Sequence, residues 1–200
     1  MGEQEKGLDR VIVYAFDPET GSIAPHSECF TPIGNAARHL AVHPDGRHVY
    51  VDEEAGAMVT VHNFDAEAGT LTRVQTLPTL RPGERGSTSE CELSPDASLL
   101  YVANRVQDDS TIATFAIGAD GSLEPRGHQL CGNHPRFFQV DPSGKWLLVN
   151  AMGDLAVNVL PLDADGVPTD GPVASLDCGF PCSHVLFLDP ARLVGGGGRL

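Results

Sequence analysis

Apolar residues alternate with polar ones in short runs along almost the whole chain, and Gly, Asp and Pro interrupt the runs at close intervals. Leu40 and Val42 lead into Pro44-Asp45-Gly46. Val49 and Val51 follow, then Val59, Val61 and Phe64, then a turn with Asp65 and Gly69, then Leu71, Val74 and Leu77. A period of two with turn residues between the runs marks β-strands, because successive strand side chains point to opposite faces. No segment sustains a 3.6-residue period, so helices are not expected.

The runs repeat. His43-Pro-Asp-Gly-Arg-His-Val-Tyr-Val51, Ser94-Pro-Asp-Ala-Ser-Leu-Leu-Tyr-Val102 and Asp141-Pro-Ser-Gly-Lys-Trp-Leu-Leu-Val149 read alike, with prolines 51 and 47 residues apart. A second element recurs out of phase and ends on Gly21, Gly69, Gly121 and Gly166, spaced by 48, 52 and 45 residues. A unit near 48 residues is the size of a four-stranded antiparallel propeller blade. With strands lettered a to d from the axis outward, the chain is expected to open on a strand c (11–16) and a strand d (23–30). Three whole blades follow at about 36–80, 87–131 and 134–178, then one further strand a at 183–188. The expected fold is all-β, a partial β-propeller of about four blades' worth. It forms a single domain over 1–200, with 1–10 and 190–200 as disordered ends. Two arrangements fit: an open arc whose edges invite self-association, or a closed ring of four blades. The lack of a strand b in either terminal piece favours the arc.

Composition narrows the function. A net charge of −14 repels nucleic acid and anionic membrane surfaces, so neither is an expected partner. No run approaches the roughly 18 apolar residues of a membrane span, and 1–10 lacks an apolar signal core, which points to the cytoplasm. The five cysteines are odd in number and include no CxxC pair; they read as free thiols. No zinc spacing, EF-hand loop, phosphate-cradling glycine loop or Ser-His-Asp arrangement stands out, so neither metal nor cofactor is expected.

The repeat itself places candidate chemistry. Strand a enters and strand b exits at the same end of a blade, near the axis. The entry position lies six residues before each proline (Arg38, Ser89, Arg136), and the exit position ten residues after it (Glu54, Arg105, Met152). All six should line one mouth. Three guanidiniums around one carboxylate suit a small anionic substrate, since Arg binds carboxylate or phosphate in bidentate fashion and stays charged. Hydrolysis of a lactone needs a base to activate water and cations to hold the developing oxyanion. Glu54, kept ionised by arginine, is the candidate base, with Arg38 and Arg105 as oxyanion stabilisers. Arg136 and His39 are candidate substrate-binding residues. The plain alternatives are ion pairs that staple neighbouring blades, and His39 and His43 as satisfied core or turn histidines. Glu90 faces either a neighbouring blade or the channel. Asp17, Asp45 and Asp96 read as turn formers.

Gly34-Asn-Ala-Ala-Arg-His-Leu-Ala-Val-His-Pro-Asp-Gly46 resembles the Gly-Pro-Arg-His-Leu-x-x-His-Pro-(Asp/Asn)-Gly signature of the bacterial-type 6-phosphogluconolactonase propellers, a seven-bladed family similar to the fungal carboxymuconate-lactonizing enzymes. Gly7-Leu-Asp-Arg-Val-Ile-Val-Tyr, Leu100-Tyr-Val-Ala-Asn-Arg105 and His134-Pro-Arg-Phe-Phe match further family blocks in order, so the resemblance covers roughly 7–188. It implies the C-terminal part of a seven-bladed ring and hydrolysis of a sugar-acid lactone, above all 6-phosphogluconolactone in the pentose phosphate pathway. In the similar muconate enzymes the site comprises an Arg opening a strand a, a Glu closing the next strand b and an Arg closing a later strand b. Arg38, Glu54 and Arg105 match those motif positions. The catalytic His of those enzymes lies in an earlier blade than this sequence contains. Ala37 stands where the family has Pro, and Phe137 where it has Asp. Two other functions stay open: a muconate-type lactonizing isomerase, and a non-catalytic truncated propeller acting as a binding module.

Overall fold

The computed structural model describes residues 9–107 and 110–187. The expected disorder of 1–8 and 190–200, and Leu188 of the expected last strand, lie outside those residues. Asp9 and Arg10 are ordered. Asp9 is buried, and its carboxylate accepts the amides of Gly34 (3.0 Å) and Ala36 (3.1 Å).

Among the described residues, fourteen strands form four antiparallel sheets in chain order. β1 (Arg10–Phe16) and β2 (Ile23–Phe30) make a two-stranded first sheet. The second blade is β3 (Ala37–Val42), β4 (His48–Glu53), β5 (Met58–Asp65) and β6 (Thr70–Pro78). The third is β7 (Gly86–Leu93), β8 (Leu99–Val106), β9 (Thr111–Ile117) and β10 (Leu123–Leu130). The fourth is β11 (Pro135–Val140), β12 (Trp146–Ala151), β13 (Ala156–Pro161) and β14 (Ala174–Asp177). The blades stand where the repeat put them. Sheet-to-sheet packing runs β2 on β6, β3 on β7 and β7 on β11. Among the described strands no such packing joins the last sheet to the first, so the blades form an open arc. Large apolar side chains stay exposed on its first and last sheets, including Phe16, Ile23 and Phe30 at one end and Leu176 and Phe180 at the other.

One expectation fails. Residues 183–187 are not a strand. They lie against β11, where the His184 ring stacks on Phe137 with centroids 3.7 Å apart and the Phe187 amide reaches Gln139 Oε1 at 3.4 Å. In each blade a strand a is held by its strand b alone, and no described residue supplies that partner here.

Strand alternation explains the core. In β8, Leu99, Tyr101 and Ala103 face the fourth blade, packing with Phe138, Leu147, Val149 and Leu160. Leu100 and Val102 of the same strand face the second blade and meet Tyr50, Val59 and Val61. A single period-two strand thereby feeds two inter-blade cores. Buried tyrosines find partners across the same interfaces: Tyr50 donates to the Gly121 carbonyl (3.1 Å) and Tyr101 to that of Gly166 (2.6 Å). Asp17, Asp45 and Asp96 close their turns by accepting amides two residues on, as their type favours.

Candidate active site

Each strand a carries a β-bulge at the same repeat position. Pairing skips from Ala37↔Glu53 to Leu40↔Val51, from Thr88↔Asn104 to Glu90↔Ala103, and from Pro135↔Ala151 to Phe137↔Asn150. By the repeat, the extra residues are Arg38, Ser89 and Arg136. A bulge re-aims the side chain it inserts, and here it falls on every entry position. Gly86 opens β7 beside the exit of β8, where any Cβ would strike the Arg105 carbonyl.

Three of the six mouth positions come together through their side chains. Glu54 Oε2 lies 2.7 Å from an Arg38 terminal nitrogen, and Glu54 Oε1 lies 2.7 Å from Arg105 Nη2. The carboxylate thus bridges two blades. Each guanidinium is also anchored on backbone: Arg38 Nε donates to the Ser89 carbonyl (3.1 Å) and Arg105 Nη2 to that of Thr88 (2.6 Å). Burial works to raise the Glu54 carboxyl, but the hydrogen bonds from Arg38 and Arg105 outweigh it and hold the group below its ordinary value. It is fully ionised at neutral pH.

The other three positions differ. Ser89 is fully buried, and its hydroxyl donates to the Pro135 carbonyl (2.7 Å), a staple to the fourth blade. Arg136 is half-buried and forms no ion pair with a described residue. Met152 begins a short 3-10 turn and its amide donates to the His134 carbonyl (3.2 Å). His134 joins these residues although no spacing in the sequence singled it out. Burial lowers its imidazole below the ordinary value, and the charges of Arg105 and Arg136 lower it further, against an opposing pull from Glu54. It therefore shares the mouth as a neutral imidazole. The positive φ of 49° at His134, which no sequence pattern announces, sets its direction.

His39 turns away from Glu54. Its Nδ1 sits 3.0 Å from Glu90 Oε1, and its amide donates to Asp52 Oδ1 (2.6 Å). Glu90 thus faces the neighbouring blade. The hydrogen bond to Glu90 pushes His39 above its ordinary value, although burial opposes it. Thr88 donates to Asp52 Oδ2 (2.7 Å), and burial raises that carboxyl. Two residues on from Glu90, Glu92 is pushed up to about 7 by burial and by the Glu90 charge. A cleft of about 340 Å³ lies at the opposite end of the blades, between Pro95, Tyr101 and Gly166. It is lined by three carboxylates, Asp96, Asp163 and Asp165, and by no cation, so it does not suit a small anionic substrate.

The Glu92 shift gives a stability prediction. The ordinary value is 4.5 and the folded value about 7, so the folded state holds the proton more tightly. That contribution is complete below pH 4.5 and is lost as pH rises through 7. His39, also raised, slopes the same way. Glu92→Gln is expected to match the wild type near pH 4.5 and to exceed it at pH 8 by up to about 3 kcal/mol. Urea unfolding at the two pH values measures this, and an equal difference at both would refute it.

An open arc of four-stranded antiparallel blades with a guanidinium-carboxylate cluster at the inner strand ends defines a β-propeller with a candidate site for small anions. The family model described as "Lactonase, 7-bladed beta-propeller" matches residues 3–170, and the chain belongs to that family. It is 31% identical over 160 residues to a 6-phosphogluconolactonase of Pectobacterium carotovorum, covering 78% of this chain and 47% of that protein. A 6-phosphogluconolactonase of Photorhabdus laumondii is 32% identical over 137 residues, covering 68% and 41%. Among solved structures, the periplasmic gluconolactonase PpgL of Pseudomonas aeruginosa matches with a TM-score of 0.80 at 29% identity, over 88% of this chain and 50% of that one. The chain spans about half the length of the curated relatives it matches.

Proposed function

We propose that this chain hydrolyses a sugar-acid lactone, with 6-phosphogluconolactone as the preferred substrate. The observation that carries the proposal is Glu54 clasped by Arg38 and Arg105 from two blades at one mouth. Glu54 takes a proton from water as the water oxygen adds to the lactone carbonyl carbon. Arg38 and Arg105 stabilise the oxyanion that forms. Collapse of the tetrahedral intermediate breaks the ring C–O bond, and the proton passes from Glu54 to the departing alkoxide, giving the open hydroxy acid. Arg136, which pairs with no described carboxylate, anchors the substrate's anionic group, while His39, turned toward Glu90, is left outside the reaction. The relatives named as 6-phosphogluconolactonases and the neighbour named as a gluconolactonase favour hydrolysis over muconate lactonization.

We place the activity in sugar-acid metabolism in the cytoplasm. No helix among the described residues is long and apolar enough to cross a membrane. Self-association through the open blade ends is part of the proposal, and light scattering on a sizing column reads it directly. The decisive assay follows proton release from 6-phosphogluconolactone and from unphosphorylated gluconolactone, each corrected for spontaneous opening. A rate above background with preference for the phosphorylated lactone is expected; folded protein at background rate on both would overturn the hydrolase proposal.

A further inference from the structure

We propose that His43, Asp45 and His48 bind a divalent first-row cation of the zinc type, at the end of the second blade opposite the Arg38/Glu54/Arg105 mouth. The two sites are separated by the length of β4, six residues at about 3.3 Å each. This revises the expectation that the chain holds no metal site.

The ligand atoms are already gathered. One donor atom from each of the three residues lies within 4.8 Å of the others. His43 Nδ1 is 3.1 Å from Asp45 Oδ1, and His48 Nδ1 is 2.7 Å from Asp45 Oδ2. Two imidazoles and one carboxylate suit zinc, copper or nickel rather than calcium or magnesium, which prefer all-oxygen shells.

The hydrogen bonds around His43 favour a cation at this position. His43 Nε2 faces the Ala97 carbonyl across the blade interface at 3.3 Å, so in the neutral ring the hydrogen resides on Nε2. Nδ1 then carries the ring's lone pair, which accepts the Asp45 amide at 3.2 Å and lies 3.1 Å from Asp45 Oδ1. Lone pair and carboxylate oxygen are both acceptors, so a cation that takes the lone pair from the amide is held by both. A carbonyl on the remote ring nitrogen is also how metal-binding imidazoles are commonly oriented.

The sister blades show that the turn itself does not need imidazoles. In the third blade the residue aligned with His43 is Ser94, whose hydroxyl donates to Asp96 Oδ1 at 2.7 Å, and Ser98 donates to the same oxygen at 2.8 Å. That turn closes with hydroxyl donors where the second blade presents a ring nitrogen that accepts. The positions aligned with His48 are Leu99 and Trp146. Gly121 of the neighbouring blade, at φ +78°, leaves room for the His48 ring, since a Cβ there would collide with it. The nearest competing cation is the Arg47 guanidinium, 3.8 Å from Asp45 Oδ2; its side chain is 72% exposed and free to swing into solvent.

The test is titration of the chelator-treated chain with Co2+, read by its visible absorption, alongside His43→Ser and His48→Leu. Both variants install residues that the third blade carries at the same positions, and circular dichroism checks their folding. One equivalent should bind without a thiolate charge-transfer band, and each variant should weaken binding at least about ten-fold. Asp96→Asn, in the sister turn, should leave it unchanged. A thiolate band would move the ion to the cysteines and overturn the assignment. So would folded variants that bind like the wild type, or failure to saturate at millimolar Co2+.

Discussion

Glu54→Gln is expected to lower kcat on 6-phosphogluconolactone at least about a hundred-fold while the chain stays folded. Gln keeps the shape of the side chain and removes the charge. Arg38 and Arg105 keep their bonds to the Ser89 and Thr88 carbonyls, so both guanidiniums stay near their native positions and the loss falls on the chemistry. KM should change less than kcat, because Arg136, which binds no described carboxylate, is untouched. If Glu54 serves only to staple the second blade to the third, the result is different: lost stability, and a kcat within ten-fold of wild type well below the melting temperature. The pH profile adds a second discrimination. With Glu54 as base, held below its ordinary value, the rate is flat across neutral pH. A limb in the histidine range would instead assign the proton to His134, whose neutral imidazole shares the mouth.

The second large effect is on stability. Phe138→Ala should cost about 3–5 kcal/mol in unfolding free energy. Phe138 is fully buried between the third and fourth blades, and its ring meets Tyr101 edge-on with centroids 6.4 Å apart. The hole would open among Leu147, Val149 and Leu160, whose strands are fixed on both sides and can relax little. Trp146→Ala, on a side chain 40% exposed, should cost markedly less. Urea denaturation compares them, and a Phe138→Ala cost below about 1 kcal/mol would mean that this interface is not the tight core described.

Much of this molecule was legible along the chain. The strands of the first sheet and all three whole blades follow from period-two runs punctuated by Asp and Gly. Counting from each proline also put Arg38, Glu54 and Arg105 at one end. The strand expected at 183–188 failed because a strand a depends on a partner strand b, and sequence alternation cannot supply one. His39 and Glu90 illustrate a subtler limit. They occupy the same repeat position in adjacent blades, yet nothing in the sequence pairs their side chains. The bulges at Arg38 and Ser89 re-aim the strands, and the packing of β3 on β7 brings the two groups to 3.0 Å.

The sequence alone therefore determined the blades, their order and which arginines and glutamate share a mouth, because these depend on local alternation and turn chemistry. The tertiary structure decided the rest. It showed that Glu54 is shared by two blades, that burial and the Glu90 charge push Glu92 up to about 7, that His134 lies near Arg105 and Arg136, and that His43, Asp45 and His48 converge. Those properties depend on burial and on side-chain direction across an interface, which appear only when one blade packs against the next.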